Sequence, residues 1–274
     1  MSSKALLIGI NYFGTSCELQ GCINDCKNLK EVLLNKFGFS QESIKFLSDL
    51  PENKNSPLYP TASNIRKALK ELVDEAKSGK VNKIWLSYSG HGSNTIDKGG
   101  DEDDGKDEMW CPVDYEVRVF MGKRRTTEER FILDDEIYTL LQQLPASCTC
   151  FIMSDSCHSG SIMDLKYMYD ISSGQYKKQS NKLDTLARIV CISGCKDEQT
   201  SADASIDNKY CGAMTWSFLK VLDSATILRY DELLLQMHAL LKGKYEQIPC
   251  LTSSNTLSQN DIFYINKSNK IMFI

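Results

Sequence analysis

The sequence predicts an α/β fold built on a largely parallel sheet, and three observations carry that prediction. Apolar runs of strand length recur at Lys4–Ile10, Lys83–Tyr88, Cys148–Met153 and Ala187–Ile192. Segments with apolar residues at helical spacing lie between them. No internal repeat and no domain-splitting linker interrupts the 274 residues, so a single domain is expected.

Taken in order, Lys4–Ile10 is a buried strand and Asn24–Phe37 a helix with Leu29, Val32, Leu33 and Phe37 on one face, stopped at Gly38. Ser43–Leu47 is a second strand. Thr61 can cap a helix carrying Ile65, Leu69, Leu72 and Val73, which ends at Ser78-Gly79. Lys83–Tyr88 is the third strand and runs into Ser89-Gly90-His91-Gly92. Asp97–Glu108 reads as an acidic loop, Met109–Phe120 as a short hairpin and Gly122–Arg130 as an exposed basic insertion. Asp134–Leu144 is a helix and Cys148–Met153 a core strand. Met163–Lys182 shows no period and reads as a long loop. A strand at Ala187–Ile192, helices at Ala213–Leu222 and Asp231–Leu241 and a last strand at Asp261–Ile265 complete the chain.

Composition narrows the functional classes. With 42% hydrophobic and 25% charged residues the chain is of globular type. Its net charge of −4 and pI near 5.5 argue against a nucleic-acid partner. No run of about 18 apolar residues predicts a membrane span. The amino terminus is a poor signal peptide, so a cytoplasmic location is expected. Eleven cysteines are an odd number, and Cys22, Cys26, Cys148, Cys150, Cys191 and Cys211 lie in or beside apolar segments; free buried thiols are expected. Cys17, Cys22 and Cys26 cluster, but without paired zinc-ligand spacing.

Two strands end in groups suited to catalysis: Ser89-Gly90-His91-Gly92, and Asp155-Ser156-Cys157 after Cys148–Met153. In open α/β sheets ligands gather beyond the carboxyl ends of strands. A cysteine attacks as thiolate, and an imidazole can take its proton and later protonate the leaving amine. Cys157 and His91 are therefore the candidate dyad, with the amides of Gly92 and Cys157 as candidate oxyanion donors.

The stretches Tyr88–Gly92 and Asp155–Gly160 resemble the histidine and cysteine motifs of metacaspases. Leu7–Tyr12, Leu19–Asp25, Cys111–Tyr115, Leu133–Glu136 and Ile192–Ala204 match further family segments in order, covering residues 4 to about 220. The resemblance implies a caspase-like three-layer sandwich, with a large-subunit-like region over about 1–160, a loop over 161–184 and a small-subunit-like region over 185–274. It implies a cysteine endopeptidase with His91 and Cys157 as dyad. The chain looks like a bare catalytic core of the family's first type, without a proline- and glutamine-rich leading segment. The Gln-Ala-Cys signature of true caspases is missing, which counts against aspartate specificity.

Alternation along a strand puts Asp155 on the side of Cys157 and Ser89 on the side of His91. Asp155 thus belongs near the substrate pocket. The resemblance adds Asp25 as a second pocket acid and Cys22 as a pocket thiol. Two carboxylates there would bind Arg or Lys and repel Asp. The acidic stretch is not an EF-hand, because Asp101-Glu-Asp-Asp-Gly105 puts Gly at the fifth position. A solvated charge run is one reading of it. The resemblance implies another, a calcium site of Asp107, Asp134 and Asp135, activating rather than catalytic. Basic residues at Lys123, Arg124, Arg125, Arg130, Lys166, Lys177 and Lys178 fall in segments read as loops, where self-cleavage would occur. The reading is a monomeric, calcium-stimulated peptidase acting on protein or peptide substrates after Arg or Lys. Its rivals are an interaction protein that keeps the fold without needing catalysis, and a paracaspase or legumain-like peptidase.

Overall fold

The computed structural model describes residues 2–96, 105–115, 117–120, 123–126, 130–156, 162–163, 165–179, 184–194, 203–206, 209–245, 247–258 and 260–265, with the backbone alone at 117–120, 123–126, 203–206 and 209–210. Cys157, Gly160 and the acidic residues 97–104 lie outside this set.

The apolar runs form the centre of the sheet. β1 (Ser2–Gly9) leads through α1 (Cys22–Asn35) to β2 (Ile44–Ser48), and α2 (Ala62–Lys77) leads to β3 (Val81–Ser89). β4 (Gly92–Ile96), β5 (Lys106–Trp110) and β8 (Ile132–Leu133) make a small antiparallel sheet; between them β6 (Val117–Phe120) and β7 (Lys123–Thr126) pair, among the described residues, only with each other. α3 (Asp134–Leu141) precedes β9 (Thr149–Asp155), followed by β10 (Tyr167–Asp170), β11 (Gln175–Lys178) and β12 (Arg188–Ser193). Then come β13 (Asp203–Ile206), β14 (Lys209–Gly212), α4 (Ala213–Ser224), β15 (Ile227–Arg229), α5 (Tyr230–Leu241), β16 (Cys250–Ser253) and β17 (Ile262–Ile265).

The central sheet has the order β11-β10-β16-β12-β9-β3-β1-β2. Pairing is parallel from β2 through β12 and antiparallel beyond. Alternate residues feed two separate cores. Leu6, Ile8, Leu86, Tyr88 and Ile152 pack with Ile65 and Leu69 of α2 and Ile137 of α3. Leu7, Trp85, Phe151 and Val190 pack on the other face with Leu33 of α1, Phe218 of α4 and Leu233 of α5. The result is the expected sandwich of helices, mostly parallel sheet and helices. Thr61 caps α2 as expected, its side chain accepting from the Asn64 N–H at 3.2 Å.

Three expectations are corrected. Residues 167–178 are not loop but the β10–β11 hairpin, held at the rim of the sheet by two-residue pairing of β10 to β16. Consequently Lys177 and Lys178 sit in a strand, as do Lys123, Arg124 and Arg125 in β7, while Arg130 and Lys166 do lie outside strands. The end of the acidic stretch, Lys106–Glu108, belongs to β5, with Asp107 and Glu108 buried rather than solvated. Met109–Trp110 pairs with β4 and β8 instead of starting a hairpin with 117–120. Cys17 is exposed, and the cysteines at 22, 26, 111, 148, 150, 191, 211 and 250 are buried; among the described cysteines none is in a disulfide. Among the described residues no helix is long and apolar enough to cross a membrane.

The second core centres on Phe151, whose ring lies 4.6 Å from Trp85 and 4.8 Å from Phe263. Truncating a fully buried aromatic removes its transfer free energy and leaves a cavity. Phe151→Ala should therefore cost about 3–5 kcal/mol, read as a lower denaturant midpoint at unchanged slope. Leu186→Ala, at a side chain 75% exposed, should change stability by less than about 0.5 kcal/mol.

Candidate active site

β3 and β9 run side by side with Ser89 paired to Asp155, and the Gly90 N–H donates to the Asp155 carbonyl at 3.4 Å. The two candidate strand ends therefore leave the sheet at the same place. In the chain His91 comes two residues after the end of β3, as Cys157 does after the end of β9. Gly92, the candidate oxyanion donor, begins β4, half-buried and paired with Trp110.

The His91 ring is fixed from two sides. Its Nε2 lies 2.7 Å from the carbonyl of Cys17. A carbonyl only accepts, so Nε2 carries the proton and the lone pair sits on Nδ1. The Tyr12 ring lies against it, centroids 4.7 Å apart at 37°. Cys17 belongs to the loop after β1, which is tied down by Asp49. Its Oδ1 accepts from the Asn11 N–H at 2.8 Å and its Oδ2 from the Phe13 N–H at 3.2 Å. Asn11 continues the tie: its Oδ1 accepts from the Ile23 N–H, and its carbonyl from the Leu19 N–H. Nothing in the sequence reading anticipated Cys17 as a partner, because a backbone carbonyl leaves no trace in residue identity.

Asp25 and Asp155 come together as expected, on the face that carries α1 and α4. Asp25 is buried in the first turn of α1; its Oδ2 accepts from Ser89 Oγ at 3.0 Å and from the Gly212 N–H at 3.0 Å. Asp155 Oδ2 accepts from the N–H and Oγ1 of Thr215 at 3.0 and 2.8 Å, and its Oδ1 from Gln247 Nε2 at 3.2 Å. Asp155 thus meets the N-terminal turn of α4, where backbone N–H groups favour a negative charge. Both carboxylates converge on Gly212. A Cβ there would lie 2.2 Å from Asp155 Oδ2 and 3.0 Å from Asp25 Oδ2, so only glycine fits. Ser89 bonds Asp25 because position 89 shares the face of Trp85 and Ser87. Cys22, the expected pocket thiol, is buried at the first residue of α1. Thr215, Gln247 and Gly212 were missed; they come from segments that sequence alone does not bring to the strand ends.

The candidate metal residues lie at the far end of β5. Asp107 and Asp134 are buried and Asp135 is half-buried. Asp134 begins α3; its Oδ1 accepts from the Asp135 N–H at 3.0 Å and its Oδ2 from the Glu108 N–H at 3.3 Å. Among the described residues no three His, Cys, Asp or Glu side chains group closely enough to hold a metal ion. The donors are hard carboxylate oxygens of the kind calcium takes, but a site here would need ligands beyond these.

Residues 3–166 match the metacaspase, peptidase C14 domain. The metacaspase-1 of Meyerozyma guilliermondii is 36% identical over 304 residues, spanning 94% of this chain and 70% of that protein. Among solved structures, protein GSU0716 from Geobacter sulfurreducens aligns with a TM-score of 0.64 at 24% identity, over 94% of this chain and 96% of that one. Caspase-1 from Spodoptera frugiperda aligns with a TM-score of 0.55 at 14% identity, over 95% and 88%. These two likenesses show a shared caspase-like fold. Family model and relative together show that this chain is a member of the metacaspases, the caspase-like cysteine peptidases of family C14.

Proposed function

We propose that this metacaspase is an endopeptidase that cuts after arginine or lysine, with Cys157 as nucleophile and His91 as base, stimulated by calcium and able to cut itself. The observation that carries the specificity is the convergence of the Asp25 and Asp155 carboxylates on Gly212, beside the strand ends bearing the dyad. In this reading Nδ1 of His91 takes the thiol proton and the Cys157 sulfur attacks the scissile carbonyl. The N–H groups of Gly92 and Cys157 hold the oxyanion. The intermediate collapses to a thioester as the imidazolium protonates the leaving amine, and water attacks the thioester with His91 again as base. A charged hydrogen bond from the basic side chain to a pocket carboxylate contributes roughly 1.5–3 kcal/mol. Arginine can offer its planar fork to both acids.

A panel of fluorogenic peptides with Arg, Lys, Asp or Asn before the cut tests this directly. Arg and Lys peptides should be cleaved, and Cys157→Ala should abolish turnover, which an interaction protein would not need. Asp155→Asn should lower kcat/KM for the Arg peptide by roughly 10- to 100-fold, the range a lost charged hydrogen bond gives. An enzyme that turns over Asp peptides and ignores Arg would overturn the reading.

Calcium stimulation is supported by the burial of two carboxylates, Asp107 in β5 and Asp134 at the start of α3. Their oxygens are hard donors of the kind a calcium ion takes, and a divalent cation would offset the cost of burying their charge. The cation takes no part in the chemistry, because the dyad supplies nucleophile and base. Asp134→Ala should lose stimulation by added calcium while Cys157 still reacts with a small alkylating agent. Full activity in excess chelator would remove calcium from the proposal.

Self-cleavage is supported by the β6–β7 hairpin, which pairs with no other strand among the described residues. An isolated two-stranded hairpin is marginally stable and opens readily to the extended form a peptidase needs. Cuts after Lys123, Arg124 or Arg125 should therefore precede those after Lys177 or Lys178, where β11 must first leave the central sheet. Mass spectrometry of fragments over time checks the order. Equal fragmentation of Cys157→Ala would assign the cuts to another protease.

A further inference from the structure

We propose that Tyr12 and Tyr88 are positioning residues for His91, a pair of buried hydroxyls that clamp its main chain to β5. The proposal rests on His91 acting as the base of the dyad.

The geometry is reciprocal. The His91 N–H donates to Tyr12 Oη at 2.9 Å, and Tyr12 Oη donates to the Cys111 carbonyl at 2.6 Å. In the opposite direction the Cys111 N–H donates to Tyr88 Oη at 3.1 Å, and Tyr88 Oη donates to the His91 carbonyl at 2.6 Å. The two hydroxyls lie 3.1 Å apart. Each phenol thus uses its single proton on one segment and a lone pair on the other. Burial, ahead of the neighbouring charges, holds both phenols well above their ordinary value, so each keeps that proton.

The placement explains itself through the β4–β5 ladder. Gly92 pairs with Trp110, so His91 and Cys111 are the next facing pair. One of their bonds is direct, from the Cys111 N–H to the His91 carbonyl at 3.1 Å. On the other side the Tyr12 hydroxyl stands between the His91 N–H and the Cys111 carbonyl. The ladder is wedged open at the residue whose side chain must reach the substrate. Gly90 makes room for the wedge: a Cβ there would lie 2.8 Å from Tyr88 Oη and 2.9 Å from Tyr12 Oη. Tyr88 is fixed by stacking on Trp110 at 4.5 Å and 8°. Tyr12 is held at φ 55°, a left-handed conformation unusual for a bulky residue, which the surrounding bonds must sustain. The same residue also presents its ring to the imidazole. With Cys17 on Nε2, the His91 backbone, ring face and ring edge are each held by a different group.

A base displaced by a fraction of an ångström loses rate rather than binding, because the substrate pocket lies on the other face of the sheet. Tyr12→Phe keeps the ring against His91 and removes only the hydroxyl; Tyr88→Phe keeps the stack on Trp110. Each should lower kcat for an arginyl peptide about tenfold, with KM within about twofold. The acid limb of Cys157 alkylation against pH should move upward, since a misplaced imidazolium protects the thiolate less. In a His91→Ala background neither substitution should reduce the residual alkylation rate further. A purely structural role would lower Tm and leave kcat, the pH profile and the additivity untouched, and that result overturns the proposal. Should both variants fail to fold, hydrogen exchange of the wild-type protein decides. The His91 amide should be protected like the β3 core, and exchange at the rate of an unprotected loop amide would refute the clamp. If His91→Ala itself keeps full activity, the dyad falls and the proposal with it; if His91→Ala is inactive and the tyrosine variants behave as wild type, only the positioning role falls.

Discussion

The parallel pairing of β3 with β9 is the constraint on which the site depends. Seven register pairs, from Lys83 with Thr149 to Ser89 with Asp155, bring two segments far apart in sequence to a common end. Parallel strands leave the sheet in the same direction, so the two strand ends come out at one edge. Ser89 and Asp155 stand side by side, and Gly90 bonds to the Asp155 carbonyl, for this reason. A shift of one residue in this register would turn Ser89 and Asp155 away from Asp25 and Thr215, since the faces of a strand alternate.

That alternation also divides the work between the two faces. Positions 85, 87, 89 of β3 and 151, 153, 155 of β9 look toward α1 and α4, and there the two carboxylates gather. Positions 84, 86, 88 and 150, 152, 154 look toward α2 and α3, and there Tyr88 meets Trp110, whose Nε1 donates to Ser154 Oγ at 3.1 Å. The acidic face and the tyrosine face share a strand end without sharing a side chain. Ser89, the two carboxylates and the two phenols are buried, and burial without partners would be costly; the hydrogen bonds to Asp155 and those of the two phenols offset that cost.

How much of this was legible follows from the same physics. β1, β3, β9 and β12 are buried on both faces, and continuous apolar runs announce such strands. β16 was overlooked because Cys250-Leu-Thr-Ser is short and half polar, and β10 and β11 because Tyr-Met-Tyr-Asp and Gln-Tyr-Lys-Lys are short and largely polar at the rim of the sheet. The burial of Asp107 and Glu108 in β5 defied their charge, a tertiary override that no local pattern could reveal. Within the site, Asp155 and Ser89 could be placed because strand periodicity fixes their side, whereas His91 lies beyond the end of β3 with its ring on Tyr12. Tyr12, Gln247 and the Cys17 carbonyl could not, since each depends on where a distant segment returns.

The order of strands in the central sheet has one further consequence. β2, β1 and β3 lie on one side of the β3–β9 seam, and β12, β16, β10 and β11 on the other beyond β9. Every strand of the first group precedes residue 90 and every strand of the second follows residue 148. The chain is therefore partitioned in space as it is in sequence, and the connection carrying β6 and β7 crosses from one half to the other without contributing to the central sheet. Two complementary fragments divided in that connection would each keep all their own central strands. Reunited, they would need to re-form one ladder across the seam, and that single docking would restore the strand ends to each other.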